Sequence, residues 1–235
     1  MNGEIQPMGG VGGEHHLFWA LHLKELRRCL TGFKYIGDII TSLSDAGEVD
    51  RFIFGFEESY GYLAGDHVRD KDAVSACSLL AEICAYAKDQ GKTLYDLLMD
   101  IYLEYGFSKE FTVNVVRPGK SGADEIKAMM TRFRENPPSE LGGSKVVLWK
   151  DYQTLEQKAA DGTVTKLDMP ATSNVLQWFC DDNTKVSVRP SGTEPKIKFY
   201  LEVKGTMKCA GCYTRCDAEA TEKIAAIEKD LGIAD

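Results

Sequence analysis

No apolar run in these 235 residues approaches the roughly 18 needed to cross a bilayer, so a membrane-spanning helix is excluded. Positive charge is also scarce. Lys and Arg number 28 against 36 Asp and Glu, for a net charge of −8. That balance argues against a general binder of nucleic acid or anionic membrane, whose affinity comes from clustered basic residues. A few local donors can still hold one phosphate. The chain starts with Gly3, Gly9, Gly10, Gly12 and Gly13 but no basic stretch followed by an apolar core, so a secretory signal is not expected. Cysteine is limited to seven residues, an odd number, with Cys77, Cys84 and Cys180 in apolar surroundings. A reducing cytoplasm with free thiols is the expected setting. What is present is ordinary for a globular protein: 43% hydrophobic and 27% charged residues, too apolar for a disordered chain. The length suits one large domain or two small ones.

Periodicity supplies the elements. Phe33, Ile36, Ile40 and Leu43 recur at three- and four-residue steps and predict a helix over 33–44. Arg51 to Phe54 reads as a short buried strand ending at Gly55, followed by a loop to Lys71. A helix over about 72–90 has Val74, Cys77, Leu80, Cys84 and Ala87 on its expected core face, with Gly91 as its stop. Thr93 and Asp96 form a capping-box pattern opening a helix with face Leu94, Leu97, Ile101 and Tyr105, closed by Gly106. Strand Phe111–Val116 then precedes a helix capped by the Ser121–Asp124 stretch and stopped by Pro137 and Pro138. Lys145–Lys150 is a strand, and 151–172 is polar loop or irregular strand. Asp181, Asp182 and Asn183 lie between two apolar runs and mark a hairpin. Ile197, Phe199, Leu201 and Val203 alternate with polar residues in a half-buried strand, and a last helix from about Asp217 carries Ile224, Ile227 and Leu231. Trp149 and Trp178 are expected in the core. No internal repeat is visible. The order predicts an α/β segment before Phe107 and an α+β unit with an antiparallel sheet after it.

Three segments have chemical character. Gly55-Phe-Glu-Glu-Ser-Tyr-Gly-Tyr62 places Glu57, Glu58 and Ser59 after a strand end, between glycines. In a turn, adjacent carboxylates can face one cavity and accept hydrogen bonds from sugar hydroxyls; a solvated acidic turn is the plain alternative. Val188-Arg-Pro-Ser-Gly-Thr-Glu-Pro195 joins two predicted strands. Its prolines stiffen the loop, Gly192 allows a positive φ that turns N–H groups inward, Ser191 and Thr193 add hydroxyls, and Arg189 can hold a phosphate bidentately. A tight strand connection with a surface Arg is the alternative. The loop lacks the Gly-Lys-Ser/Thr step of a P-loop, and no helix follows it. In Thr31-Gly-Phe-Lys-Tyr-Ile36, Lys34 could reach an anion or simply snorkel from an apolar face.

These three segments, together with His67-Val-Arg-Asp-Lys-Asp72, occur in the order found in the α-D-phosphohexomutases, and the chain resembles the C-terminal half of that phosphoglucomutase/phosphomannomutase family from about Leu30 to Asp235. The resemblance implies an incomplete α/β third domain over 30–107 and a TATA-binding-protein-like α+β domain over 108–235. Residues 1–29 are set apart as having no family counterpart. It implies sugar binding by Glu57, Glu58 and Ser59. It implies that Arg189, Ser191, Gly192 and Thr193 grip the phosphate that is not transferred, with Lys34 facing substrate. The implied ligand is a hexose phosphate, with no nucleic acid or membrane as partner. The Glu-Glu-Ser form resembles glucose- and mannose-type mutases more than glucosamine-type ones.

The family's phosphoryl-carrying serine lies in a Ser-His-Asn-Pro-type loop, and its Mg²⁺ in an Asp-Gly-Asp-x-Asp-Arg-type loop; neither occurs here. Phosphoryl transfer needs a placed nucleophile and charge neutralisation, so no catalytic or metal-ligating residue is assigned and this chain alone is expected not to turn over. Mg²⁺ and hexose 1,6-bisphosphate are implied only for the full-length enzyme, with the absent N-terminal domains as partner. A truncated or frame-shifted reading frame is the expectation for 1–29, with exposed apolar surface in the third domain. A non-catalytic phosphosugar-binding or interaction module and a phosphopentomutase fragment are the alternatives. Cys209, Cys212 and Cys216 suggest zinc only weakly, for want of a second cysteine pair, and read as incidental thiols. His67 either touches ligand or braces its loop.

Overall fold

The computed structural model describes residues 27, 29–30, 32–57, 61–169, 171–192 and 194–234, apart from the Lys120 side chain. Its contacts form two compact units, residues 1–72 and 73–235.

In the first unit, helix α1 (Phe33–Asp45) buries Phe33, Gly37, Ile40 and Leu43, the face its spacing predicts. A 3₁₀ turn (Val49–Arg51) precedes strand β1 (Phe54–Glu57), which pairs antiparallel with β2 (Gly61–Ala64). The strand expected at 51–54 therefore starts three residues later, and the expected loop contains the second strand. Four-residue strands give too little alternation to be read from sequence. Phe33, Ile40 and Leu63 form the small core, with Ile36, Val49 and Phe52 packed on it. Gly37 admits the Arg69 carbonyl, which would lie 2.8 Å from a Cβ at that position.

The second unit starts with α2 (Ala73–Asp89) and α3 (Leu94–Tyr105). Gly91 takes a positive φ at the α2 stop, and Lys92 N–H returns to the Ala87 carbonyl. The capping box forms: Asp96 N–H donates to Thr93 Oγ1 at 3.2 Å, and Thr93 N–H donates to the Asp96 carboxylate at 2.8 Å. The expected core faces need correction. Of Val74, Cys77, Leu80, Cys84 and Ala87, only Ala87 is buried. Leu94, Ile101 and Tyr105 are also exposed, whereas Met99 and Tyr102 of the same helix face the core of this unit. The reason is local. Gly106 (φ 97°) turns the chain directly into β3 (Phe107–Val116), which brings Tyr102 within 5.0 Å of Phe107, ring centre to ring centre. Exposed apolar surface in this region agrees with expectation.

An antiparallel sheet occupies the rest. Its strands are β4 (Glu140–Leu141), β5 (Ser144–Asp151), β6 (Glu156–Ala159), β7 (Val164–Lys166), β8 (Leu176–Cys180), β9 (Lys185–Pro190) and β10 (Lys196–Gly205), with β3 at one edge. The order is β3-β10-β9-β8-β5-β6-β7, and β4 pairs with β5. Helices α4 (Gly119–Glu135) and α5 (Tyr213–Leu231) bury Ile126, Met130 and Phe133, and Ala220, Ile224, Ile227 and Leu231, in one core with the alternating residues Ile197, Phe199, Leu201 and Val203 of β10. Trp178 is fully buried there and Trp149 partly buried against it. Helix α4 starts at Gly119 with Pro118 as its N-cap, rather than at a Ser121 cap. Helix α5 starts four residues before Asp217, through a 3₁₀ turn over Ala210–Cys212.

The cysteines bring a further correction. Cys209 and Cys212 form a disulfide, while Cys77, Cys84, Cys180 and Cys216 are free thiols. Three residues of separation through a 3₁₀ turn leave the two Cα atoms 5.3 Å apart, well inside bonding range.

The Asp181–Asn183 triplet is the β8–β9 hairpin tip, with Asn183 at φ 67°. Asp182 accepts from Thr184 N–H at 3.0 Å and Ser144 Oγ at 2.9 Å and is ion-paired with Lys223 of α5. Burial opposes its ionisation, but these donors outweigh it and hold its pKa at about 2, below the ordinary 3.8. A carboxylate depressed in the folded state stabilises above its unfolded pKa and loses that contribution as pH falls toward its folded value. Asp182→Asn is therefore expected to lower stability at pH 7 by about 1 kcal/mol, discounted for partial exposure, with the deficit vanishing between about pH 4 and 2. Urea unfolding across that range checks this.

Candidate functional site

The expected sugar loop lies in the first unit, where β1 ends at Glu57. Glu58 and Ser59 fall outside the described residues. The Glu57 side chain is largely covered, and its carboxylate lies 3.8 Å from Lys71 Nζ. Gly61, its cross-strand partner, allows that approach: a Cβ at position 61 would lie 2.3 Å from Lys71 Cδ and 2.7 Å from Glu57 Cγ. Lys71 also sits 5.3 Å from the centre of the Phe33 ring and donates to Asp70 at 2.8 Å. That hydrogen bond is the main cause raising the Lys71 pKa above its ordinary value, and the Glu57 charge adds to it. The site thus places a carboxylate acceptor beside an ammonium donor, a pair suited to sugar hydroxyls. Lys71 is a residue the motif reading quotes and passes over; its signal is its place between Asp70 and Asp72. His67 Nε2 lies 3.0 Å from the Asp72 carboxylate, so it braces the loop. Lys34 is exposed on the first turn of α1, its ammonium 4.8 Å from the Tyr35 ring centre.

The expected phosphate loop lies in the second unit, between β9 and β10. Ser191 N–H donates to the Lys196 carbonyl at 2.8 Å, and Glu194 N–H donates to Ser191 Oγ at 3.2 Å. These bonds fix the loop, and they correct the expected cradle, because two of its N–H groups are used in closing it. Gly192 is not in the positive-φ region. A Cβ there would meet nothing within 4 Å, so the backbone at this position is open. Thr193 falls outside the described residues. Arg117 N–H donates to the Pro195 carbonyl at 2.9 Å and ties the loop to the β3–α4 corner.

The sheet register adds a cation. Arg189 stands directly opposite Lys198, so both half-buried side chains lie on the same face, away from Val188 and Phe199. Like charges in that position repel. Glu194 is drawn to Lys196, the main cause lowering its pKa, with a smaller effect from Lys198. Lys198 is missed by the motif reading, although strand alternation places it on the polar face with Lys196 and Tyr200. An open glycine backbone and two facing cations make a place for an anion. Among the described residues, no three His, Cys, Asp or Glu come together in a way that could hold a metal ion. No helix among them is long and apolar enough to cross a membrane.

Comparison with known proteins agrees with the motif order. Residues 17–105 match the phosphoglucomutase/phosphomannomutase α/β/α domain III, and residues 113–211 match the C-terminal domain of the same family. The chain belongs to the phosphoglucomutase/phosphomannomutase family and carries its C-terminal domains. The domain III match takes in part of the 1–29 segment that the motifs set apart, and the two matches are separated at 105–113 while the contacts divide at 72–73. A phosphoglucomutase of Staphylococcus haemolyticus is 38% identical over 183 residues, which cover 77% of this chain and 32% of that protein. One from Staphylococcus aureus is 41% identical over 180 residues, again 77% and 32%. The chain thus spans about a third of the length of the curated relatives it matches. The solved open form of parafusin, a phosphoglucomutase from Paramecium, aligns at 19% identity and a TM-score of 0.46 over 86% of this chain and 34% of that one.

Proposed function

We propose that this chain is the substrate-gripping portion of a phosphoglucomutase/phosphomannomutase, working on hexose phosphates in the cytoplasm. The observation that supports the reading most is the Arg189–Lys198 pair across β9 and β10 beside the open backbone of Gly192. Arg189 would hold the non-transferred phosphate, with Ser191, Gly192 and Thr193 around it. Glu57, with Glu58 and Ser59, would accept from sugar hydroxyls, oriented by Lys71, and Lys34 would add an exposed cation for the ligand. The intact reaction would move a phosphoryl group between the C1 and C6 hydroxyls through a hexose 1,6-bisphosphate. Because the sugar turns over between steps, the distal grip must accept either end, which suits isotropic cations better than a shaped pocket. The boundary between domains III and IV would fall near Phe107 in the sequence. By itself the chain would bind without turnover, since its sequence contains no Ser-His pair and no Asp-Gly-Asp step.

Calorimetric titration of the chain with glucose 6-phosphate, glucose and inorganic phosphate tests this. The sugar phosphate should bind more tightly than phosphate, and glucose should not bind. Equal or absent heats for all three would overturn the reading. In the same assay Gly61→Ala is expected to weaken glucose 6-phosphate binding by about tenfold, the value of one lost charge-assisted hydrogen bond, because its methyl displaces Glu57 and Lys71. Inorganic phosphate binding should be unchanged in that variant.

A further inference from the structure

Cys209 and Cys212 have no part in gripping a sugar phosphate, yet they carry the one covalent cross-link among the described residues. Its surroundings distinguish it from a structural staple. The bond closes a loop of only four residues, where the loss of chain entropy is least. It is also reachable: Cys209 is exposed, while Cys212 is half-buried against the core as the N-cap of α5. The positive end of the Tyr213–Leu231 helix favours a thiolate at Cys212. Cys216, one turn further on, is buried with its Sγ 3.7 Å from the Thr206 carbonyl and is placed outside the exchange.

The next residue connects this bond to the fold. Tyr213 lies 6.2 Å from Tyr102 in a stacked arrangement, 5.8 Å from Tyr95 edge-on and 6.1 Å from Phe107, ring centre to ring centre. Tyr95 and Tyr102 both belong to α3, and the 3₁₀ turn holding the disulfide also contacts that helix. Most of the remaining apolar surface of α3 is exposed, so this aromatic cluster and Met99 are its main attachment to the sheet core.

We propose that Cys209 and Cys212 form a reversible dithiol–disulfide site whose exchange partner is a low-molecular-weight thiol such as glutathione, and whose oxidised form fixes Tyr213 in the cluster that holds α3. In reduction, an external thiolate attacks the exposed Cys209 Sγ. The S–S bond breaks, a mixed disulfide forms at Cys209, and the electron pair leaves on Cys212 as a thiolate at the helix N-cap. A second thiolate attacks the external sulfur of the mixed disulfide and releases Cys209 as thiolate. The net change is two electrons: the protein disulfide becomes a dithiol, and two external thiols become one disulfide.

The test is equilibration of the full chain in buffers of graded reduced-to-oxidised glutathione ratio, followed by acid quench, alkylation and peptide mass spectrometry. Cys209 and Cys212 should lose alkylation together in a single two-electron step, with Cys216 outside it. Persistent alkylation in the most oxidising buffer, or separate glutathione adducts on the two residues, would overturn the site. Amide hydrogen exchange over residues 94–105 tests the coupling. It should be severalfold slower in the oxidised chain than in the reduced one, and a C209S/C212S variant should exchange at the reduced rate in both buffers. Equal exchange in the oxidised and reduced wild-type chain would overturn the link to α3.

Discussion

Replacing Arg189 by Ala should weaken phosphate and glucose 6-phosphate binding by about 100-fold while leaving the melting temperature unchanged or slightly raised. Two charge-assisted hydrogen bonds from one guanidinium to a phosphate are together worth about 3 kcal/mol, and each 1.4 kcal/mol is a factor of ten. The stability half follows from register. Arg189 faces Lys198 rather than a carboxylate, so its removal ends a cross-strand repulsion. Arg189→Lys separates charge from geometry. It keeps the cation but loses the planar fork, and its affinity should fall between wild type and Ala. Equal affinity for Lys and Arg would mean that the loop supplies only a point charge. A calorimetric titration and a melting curve for each variant measure both halves.

Phe199→Ala should produce the opposite pattern, with a loss of about 3–5 kcal/mol of stability. Phe199 is fully buried in the middle of β10, and its ring meets Phe133 of α4 edge-on at 6.1 Å between ring centres. Phe133 in turn meets Trp178 at 5.3 Å. A cavity at this point lies between the sheet and a helix and cannot close without moving one of them, which places the cost at the upper end of such truncations. Residue 199 follows Lys198 on the same strand, so binding should weaken only as far as the folded fraction falls. Urea unfolding gives the stability. A titration at a temperature where the variant is still folded should return near-wild-type affinity, and a large loss there would show that the site depends on this core more directly than its register implies.

Much of the second unit was legible in the sequence, because its elements are long and its alternation is clean. The alternation of Ile197, Phe199, Leu201 and Val203 places them on one face, and all four are buried; Ile224, Ile227 and Leu231 likewise. The capping box at Thr93 and the hairpin at Asp182 follow from chemistry confined to three or four residues, and both are observed. What could not be read depends on tertiary contact or short range. The β1–β2 hairpin has four residues on each side. The apolar face of α2 looks like a core stripe, yet only Ala87 finds cover among the described residues. Periodicity reports that a face is apolar, not what it meets.

The site divided in a similar way. Motif order singles out Glu57 and the Arg189 loop as candidates, whereas Lys71 comes beside Glu57 only in the folded chain and Lys198 beside Arg189 only through strand pairing. Gly192 is expected to take a positive φ and does not; a Cβ at that position would meet nothing within 4 Å. The Cys209–Cys212 bond was missed because, with zinc set aside, spacing alone does not tell a thiol pair from a disulfide.

The central claim is that this chain alone grips a hexose phosphate through the β9–β10 loop. An amide NMR titration of the full chain with glucose 6-phosphate tests it most directly. The account predicts saturable shifts at Arg189, Ser191, Gly192 and Lys198, absent in Arg189→Ala, with a second set at Glu57 and Gly61. No shift at Arg189–Gly192 with millimolar ligand would contradict it.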